Sequence, residues 1–233
     1  MVYVYGIIDR PTVLVPAIPG LEGAALDTLP YRDIGAVVSL SALGKSRPIE
    51  ANLWQHETVV EALMTHHSVL PVRFGTMLTD EAAVQAALVA HYAEFSAGLK
   101  RVRGHVELGL RALWDDENDL PLTPDQQQPS HSSGRAYMLA RLEEECKLQV
   151  WRERAKALAE DIHTPLARLA AESTRQTLIT PRLLLTAAYL IKRGQVAAFR
   201  QEVEILSSTH PELRLLCTGP WPPFSFVTGM DEQ

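Results

Sequence analysis

The first part of the chain consists of short apolar runs separated by polar or turn-forming residues. Residues 2–8 are β-branched, aromatic or glycine and carry no charge, and Asp9 ends the run, which predicts a buried first strand. Residues 24–40 contain two apolar runs on either side of Tyr31-Arg32-Asp33, which predicts two short strands joined by a polar turn. Strands, rather than helices, are therefore expected at the start of the chain.

Helical periodicity begins after residue 52. Apolar residues at three- and four-residue steps predict a helix over 53–67, and residues 69–74 predict a short strand that Gly75 ends. Thr79-Asp80-Glu81 supplies an N-cap and an acidic first turn, so a second helix is predicted there. The core face predicted for that helix comprises Val84, Leu88, Tyr92, Phe95 and Leu99. Residues 105–114 then alternate with a period of two, which predicts a strand with one buried face.

The composition changes at residues 115–134, which are rich in acidic residues, proline and glutamine and are typical of a linker or long loop. A long amphipathic helix is predicted from Arg135 to at least His163, and Thr164-Pro165 predicts either a kink or the start of a new helix. The apolar face predicted here comprises Leu142, Cys146, Trp151, Ala155, Leu158, Ile162, Leu166 and Leu169. The other predicted elements are strands at 174–180, 183–191 and 213–218 and a helix at 195–206.

This order of elements predicts an α+β protein with two domains. We expect an N-terminal ferredoxin-like sandwich over residues 1–115 and an acidic, proline- and glutamine-rich linker or loop over 116–134. A C-terminal α+β domain of modified ferredoxin-like type, with the long helix and an aromatic, proline-rich tail, is expected over 135–233.

Composition limits the classes of function. The chain has 233 residues, 46% hydrophobic and 21% charged, which is ordinary for a soluble globular protein. Its formal net charge of −6 gives no basic surface of the kind that nucleic acid binding requires. The longest uncharged run, residues 215–230, contains several prolines, so no insertion into a lipid membrane is expected. Cys146 and Cys217, in a chain without a secretory signal, predict buried, reduced thiols and a cytoplasmic protein.

Motifs that carry catalytic chemistry are absent from the sequence. No nucleophile elbow, phosphate-binding loop or dinucleotide-binding turn occurs, and His56-Glu57 lacks the second histidine of a zinc-protease helix because Val60 stands in that position. His56 and His67 lie eleven residues apart, about 16 Å along a helix, which is too far for both to bind one metal ion. We therefore expect no catalytic residues, no metal and no cofactor.

Two features are candidate contact sites. Arg73 is the only formally charged residue between Glu61 and Asp80, and a buried arginine needs an acidic or carbonyl partner. It is expected either in a structural ion pair or in contact with a partner or ligand. Near the end of the chain, Gly219-Pro-Trp-Pro-Pro-Phe-Ser-Phe226 presents its aromatic rings on a backbone that the prolines stiffen. Trp221, Phe224 and Phe226 either pack on their own domain or bind a partner.

The long helix also has two interpretations. Its apolar seam packs on the sheet of its own domain, or the part that extends beyond that sheet serves as a docking or coiled-coil surface.

Four blocks of the sequence, in order along nearly the whole chain, resemble the gas vesicle protein F/L family (GvpF/GvpL). They are Tyr3-Val-Tyr-Gly-Ile-Ile8, Val69-Leu-Pro-Val-Arg-Phe-Gly-Thr76, Ser133-Gly-Arg-Ala-Tyr-Met-Leu-Ala-Arg141 and Gly219-Pro-Trp-Pro-Pro-Phe-Ser-Phe226. The resemblance implies a ferredoxin-like N-terminal domain and an α+β C-terminal domain with long helices. It implies a minor structural or assembly protein of the gas vesicle, an organelle of buoyancy in the cytoplasm, and no enzymatic activity.

The resemblance implies two kinds of partner. One is the small hydrophobic shell protein of the vesicle (GvpA-like), contacted at the gas-facing side or during initiation of the shell, and the other is the set of accessory vesicle proteins. Trp221, Phe224, Phe226 and Arg73 are then the candidate partner-binding residues. A small-ligand-binding regulatory or enzymatic module, with Arg73 and His56 as polar anchors, is the alternative function. A scaffold that self-associates through the long helix is a third hypothesis.

Overall fold

The structure, a computed structural model, describes residues 1–11, 17–41, 50–115, 134–177, 180 and 182–227. The chain divides into two compact units, one formed by Met1–Glu107 with Pro220–Gln233 and the other by Leu108–Gly219. The described residues form a mixed fold of α-helices and β-strands with two sheets and five α-helices.

The first unit contains a largely antiparallel sheet and three helices. Its elements are β1 (Val2–Asp9), β2 (Leu26–Tyr31), β3 (Ile34–Leu40), α1 (Glu50–Met64), β4 (Val69–Pro71), β5 (Met77–Leu78), α2 (Glu81–Ala90) and α3 (Tyr92–Val102). The strand order is β2-β3-β1-β4, and β5 also pairs with β1. The predicted first strand and the predicted strand pair with its turn at residues 32–33 are confirmed, whereas β5 was not predicted.

β1 is buried along its whole length because helices cover both faces of its sheet. Its residues on the α2 and α3 side are Val2, Val4 and Ile7, and those on the α1 side are Tyr3, Tyr5 and Ile8. The register with β3 shifts between Val4 and Gly6, which leaves Tyr5 as the extra residue of a β-bulge. The bulge reverses the alternation of faces, so after it the odd-numbered Ile7 faces α2 and α3 and the even-numbered Ile8 faces α1.

The predicted second helix is two helices in the structure. α2 ends at His91, whose N–H donates to the carbonyl of Ala87, and α3 begins at the next residue. An N-cap within Thr79-Asp80-Glu81 is confirmed, and it is Asp80, whose Oδ1 accepts a 2.8 Å hydrogen bond from the N–H of Ala83. Of the predicted core face, Val84, Leu88, Phe95 and Leu99 are buried, and Tyr92 is half-buried.

The second sheet has the strand order β7-β8-β6-β9. The elements concerned are β6 (His105–Trp114), α4 (Gly134–Leu169), β7 (Glu172–Thr177), β8 (Leu183–Lys192), α5 (Val196–Thr209) and β9 (Leu213–Trp221). The alternation predicted for β6 is confirmed, with Val106, Leu108, Leu110 and Ala112 buried. Helices α4 and α5 pack on this sheet through one apolar core, in which Tyr189 and Phe199 are the largest fully buried side chains.

Three expectations about the architecture are not confirmed. β6 was predicted in the N-terminal domain but pairs in the second sheet, and contacts group the tail from Pro220 onward with the first unit rather than with the C-terminal half. A ferredoxin-like arrangement of the first sheet is not confirmed, since a βαβ unit joins parallel strands and β1 is antiparallel to β3 and β4. The predicted linker, apart from Gly134, lies outside the described residues.

α4 continues through Pro165 as one helix of 36 residues, about 54 Å long, so no new helix begins there. Its second half has the predicted buried face, which includes Ala155, Leu158, Ile162 and Leu166. Leu142 and Cys146 were predicted on the same face but are exposed, because the five-residue step from Cys146 to Trp151 places them on the side of the helix opposite its buried face. None of the described helices, α4 included, is long and apolar enough to cross a membrane.

The burial of α2 predicts a sharp difference between two neighbouring residues. Leu88 is 1% exposed and Val89 is 53% exposed. Leu88→Ala is expected to lower the free energy of unfolding by about 2–5 kcal/mol, since it leaves a cavity in the core, whereas Val89→Ala is expected to change it by less than about 0.5 kcal/mol. Urea denaturation of the two variants measures both values, and equal losses would contradict the assigned face of α2.

Candidate functional site

The aromatic tail follows the end of β9. Pro222 and Pro223 are buried, and residues 224–226 form a single 3₁₀ turn. Trp221 is 41% exposed, Phe224 is 38% exposed and Phe226 is 7% exposed. The three predicted contact residues therefore divide into two rings that face solvent and one that packs inside the protein.

Glu107 holds this turn by two hydrogen bonds. It is buried on the face of β6 opposite the predicted core face, and its carboxylate oxygens accept from the Ser225 N–H at 2.8 Å and from the Ser225 hydroxyl at 2.7 Å. Burial raises the pKa of Glu107, and the two bonds from Ser225 lower it in part. Glu107 was not predicted as a functional residue, and its only signal in the sequence is an acidic residue in a strand that is apolar on its other face.

Two further contacts hold the end of the tail. The guanidinium of Arg101 on α3 donates to the carbonyl of Phe226, and Val227 packs against the core that α2 and α3 share with the first sheet. The backbone on the C-terminal side of Phe224 is thus fixed by hydrogen bonds with Glu107 and Arg101 and by the apolar contact of Val227. Trp221 and Phe224 are therefore presented on an ordered segment.

Arg73 is exposed, so the expectation of a buried arginine was wrong. β4 ends at Pro71, and residues 72–76 form a loop rather than the predicted continuation of the strand. The Thr76 N–H and hydroxyl both donate to the Arg73 carbonyl, at 3.2 and 2.9 Å. Among the described residues, no hydrogen bond, ion pair or ring contact joins the Arg73 guanidinium to the tail.

A buried chain of hydrogen bonds fixes the Arg73 loop from below. His56 Nε2 lies 3.1 Å from the Val72 carbonyl, which can only accept, so Nε2 carries the proton and Nδ1 accepts from the Tyr3 hydroxyl at 3.0 Å. The Tyr3 oxygen in turn accepts from the Gly75 N–H at 3.0 Å. Every polar atom of this chain is paired, which orders the backbone around Arg73.

Burial sets the charge state of this chain. Loss of water lowers the pKa of His56 to about 4 and raises the pKa of Tyr3 to about 12, so both side chains are neutral near pH 7. With both nitrogens of His56 engaged, the structure gives the ring no free atom for a ligand. It does not bring His56 and Arg73 together as the anchors of a small-molecule site.

The other residues considered as candidates are His67 and the two cysteines. His67 is buried, and its Nδ1 lies 2.9 Å from the Asp9 carbonyl. Cys146 was expected to be buried but is exposed, whereas Cys217 is half-buried and burial raises the pKa of its thiol. Within the described ranges, no group of three or more His, Cys, Asp or Glu side chains is placed to hold a metal ion.

Comparison with known proteins identifies the family. The sequence profile of the family described as "Gas vesicle synthesis protein GvpL/GvpF" matches residues 1–228, so the chain belongs to this family of gas vesicle proteins and the resemblance is confirmed. The gas vesicle protein L of Streptomyces sp. is 30% identical over 255 residues, which cover 99% of this chain and 94% of that protein. The gas vesicle protein F2 of Halobacterium salinarum is 25% identical over 229 residues, which cover 97% of this chain and 91% of that protein.

Solved structures share the fold. The gas vesicle protein GvpF from Anabaena sp. PCC7120 superposes with a TM-score of 0.80 at 22% identity, covering 97% of this chain and 95% of that chain. GvpF from Microcystis aeruginosa gives a TM-score of 0.77 at 20% identity, with 97% and 98% coverage. The mixed fold described above is therefore the fold of these GvpF structures.

The bond between Glu107 and Ser225 predicts the effect of removing the carboxylate. Glu107→Ala is expected to lower the free energy of unfolding by about 1–3 kcal/mol, because a charge-assisted pair of hydrogen bonds is lost. It is also expected to speed hydrogen exchange of the Ser225 amide. Glu94→Ala, which removes a half-exposed carboxylate of α3, is the control and should leave that amide unchanged. Unaltered exchange in both variants would contradict the role assigned to Glu107.

His56 predicts a pH dependence of stability. Its pKa in the folded protein is about 4, below the ordinary value of 6.5, so the unfolded chain binds the proton more tightly. The free energy of unfolding is therefore expected to fall by about 3 kcal/mol as the pH is lowered from about 6.5 to about 4. His56→Gln should be less stable near pH 7 and should lose this component of the slope, whereas His66→Gln, at an exposed position, should retain it. Denaturant titrations at several pH values measure the slopes, and parallel slopes for wild type and His56→Gln would contradict the assignment.

Proposed function

We propose that this protein acts in gas vesicle assembly by binding the hydrophobic shell protein of the vesicle (GvpA-like) through Trp221 and Phe224. The observation that carries this proposal is an exposed aromatic pair on a backbone that Glu107 and Arg101 hold in place. Membership of the GvpL/GvpF family supplies the setting, a role in the gas vesicle. The contact is made at the gas-facing side of the shell or during its initiation.

The preorganised backbone of the tail favours binding through these two rings. Large aromatic side chains dominate the energetics of interfaces, and binding is stronger when the anchor residues lose little conformational freedom. The two prolines between Trp221 and Phe224 and the turn that follows restrict the backbone before any partner arrives. Contact with a very apolar shell subunit removes the apolar surface of both rings from water, which makes the free energy of binding more favourable.

Phe226 has a supporting role in this proposal. Because its ring is buried, it holds the turn from inside, and the direct contacts belong to Trp221 and Phe224. Arg73 adds an exposed cation on an ordered loop, and we assign it to a carboxylate of the shell protein or of another accessory vesicle protein. The protein then works as a non-enzymatic assembly or minor structural component at the gas vesicle, within the cytoplasm.

We also propose a ferredoxin-like architecture for the second unit. Its elements follow one another as strand, helix, strand, strand, helix, strand, and its strand order begins and ends with β7 and β9. Both features support a ferredoxin-like unit in which β6 is the first strand. We therefore keep the ferredoxin-like character that was predicted for residues 135–233 and add β6 to that unit.

A binding measurement with purified shell protein tests the aromatic pair. The double variant Trp221→Ala with Phe224→Ala is expected to weaken capture of the shell protein by the full-length chain at least tenfold, or about 1.4 kcal/mol. Trp54→Ala removes another exposed tryptophan of the first unit and is expected to bind like wild type. Circular dichroism verifies the fold of each variant. Wild-type capture by the double variant, or an equal loss with Trp54→Ala, would rule out the tail as the contact.

A further inference from the structure

Four exposed cations lie close together at one end of the first sheet. Arg10 directly follows β1, and Arg32 is in the turn between β2 and β3. Lys100 is in the last turn of α3, and Arg103 directly follows that helix. These four residues, here called the basic patch, come from separate parts of the first unit, and none of them belongs to the contact proposed for the tail.

Asp9 joins two of these cations. Its buried carboxylate accepts hydrogen bonds from the Ser68 N–H at 2.9 Å and from the Ser68 hydroxyl at 3.1 Å. Arg10 Nε lies 3.8 Å from Oδ1 of this carboxylate, and a guanidinium nitrogen of Arg103 lies 3.5 Å from Oδ2. Both arginine side chains remain 62% exposed. One carboxylate therefore faces two guanidiniums, which keep N–H groups available to a ligand.

Asp33 joins the other two cations to the same row. Its backbone carbonyl accepts from the Arg10 N–H at 3.1 Å, and its Oδ1 accepts from the Tyr92 hydroxyl at 2.6 Å. The bond from Tyr92 lowers the pKa of Asp33, and the nearby charges of Lys100 and Arg32 lower it further. The basic patch is thus a row in which positive side chains alternate with two aspartates.

Backbone and ring contacts hold two of the arginines in place. Arg10 and Arg32 have φ angles of 49° and 54°, in the left-handed region that favours glycine. The Arg10 guanidinium donates to the His66 carbonyl at 2.8 Å. The Arg32 guanidinium carbon lies 4.7 Å from the ring centre of Tyr92 and 5.2 Å from that of Tyr31. Backbone strain of this kind is typical of functional sites, and cations that are already ordered lose little freedom on binding.

Acidic side chains on the neighbouring elements do not lie against the row. On α3, Glu94 is about half a turn around the helix from Arg103. On α2, Glu81 is at the end of the helix away from α3. Asp27 is near the start of β2, whereas the basic patch is at the end of that strand. Glu61 belongs to α1, which packs on the other face of the sheet from α3.

The charges of the row therefore do not cancel. Among the described residues, the only ion pairs of the basic patch are those of Arg10 and Arg103 with Asp9. Four positive side chains and two aspartates leave an excess of positive charge, in a chain whose formal net charge is −6. An electropositive surface on an acidic protein attracts a negatively charged partner.

The alternation of charges indicates which negatively charged partner fits. A small anion between Arg10 and Arg103 would meet Asp9, which already lies within 4 Å of both. A nucleic acid carries a phosphate at every nucleotide and would bring some of them against the two aspartates, and the net negative charge of the protein repels it. An acidic polypeptide places carboxylates at separate points and amide N–H groups between them, which match the cations and the aspartates of the row.

We propose that the basic patch binds an acidic segment of a partner protein, with aspartate or glutamate side chains at separated positions. Hydrogen bonds from the guanidiniums to these carboxylates supply the specificity. This surface is additional to the aromatic tail, and its test does not depend on binding of the shell protein.

Synthetic peptides test the basic patch on the full-length protein. One 12-residue peptide alternates glutamate with serine, and a second has glutamine in place of every glutamate. Fluorescence anisotropy at low ionic strength is expected to show at least tenfold tighter binding of the glutamate peptide, and its affinity is expected to fall as salt is added. Equal affinities of the two peptides, or binding of neither, would overturn the proposal.

Variants of the patch provide the second test. Arg32→Gln with Lys100→Gln is expected to weaken binding of the glutamate peptide at least tenfold. Neither side chain pairs with the buried Asp9, so the fold is expected to be retained, which circular dichroism verifies. Arg152→Gln with Lys192→Gln removes one arginine and one lysine from exposed positions of the second unit and should bind like wild type. Wild-type binding by the patch variant, or an equal loss in both variants, would contradict the assigned surface.

Three other occupants are distinguishable outcomes. A single-stranded oligonucleotide that binds more tightly than the glutamate peptide, and loses this binding in the patch variant, would place nucleic acid there. Inorganic phosphate that displaces the peptide at equal concentration would make the patch a site for free anions. Tighter peptide binding after the acidic residues of 116–133 are changed to amides would place that segment on the patch. Each of these results would overturn the proposal, whereas selective binding of the glutamate peptide, lost only in the patch variant, supports it.

Discussion

β1 carries large apolar side chains on both of its faces, and the arrangement of the first unit follows from the need to cover both. α1 covers one face, while α2 and α3 cover the other. A strict alternation would not fill both cores with the residues present, and the bulge at Tyr5 corrects the phase halfway along the strand. The central position of β1 in its sheet, between β3 on one side and β4 with β5 on the other, is the consequence.

Burial of two tyrosines and a histidine on one side of β1 requires that their polar atoms be paired. The Tyr5 oxygen accepts from the Leu21 N–H at 2.7 Å and bonds the Ser39 hydroxyl at 2.9 Å, and a Cβ at Gly20 would lie 2.5 Å from it. Tyr3 and His56 are hydrogen-bonded to each other, to Gly75 and to Val72, respectively, in the loop after β4. The same interactions that satisfy the core therefore order the loop that presents Arg73, and core stability is coupled to surface geometry.

The two candidate contact surfaces that the sequence indicated have different physical origins. The tail is an ordered segment whose aromatic rings remain outside because Glu107, Arg101 and the core hold the residues after them. The first half of α4 carries apolar side chains that remain exposed on the side of the helix opposite its buried face. The tail is rigid because its hydrogen bonds and apolar contacts hold it in place. The exposed half of α4 is rigid because an α-helix is a stiff element.

Local periodicity was readable from the sequence because it depends only on neighbouring residues. The strand at 2–9, the turn at 32–33, the Asp80 cap, the alternation of β6 and the helical face at 155–166 all follow from spacing and capping chemistry. The four sequence blocks likewise identified the family that the profile confirms. The aromatic tail was recognised as a candidate because its composition is unusual, not because its environment was known.

Tertiary structure alone decided which of these elements meet. Glu107 and Ser225 are separated by 118 residues, and no local pattern links them. Arg73 was placed in a strand because its neighbours are apolar. In the structure that backbone is a loop, in which the Val72 carbonyl accepts from His56 and the Gly75 N–H donates to Tyr3. Periodicity specifies what a segment can bury, and only the folded chain specifies what is present to bury it.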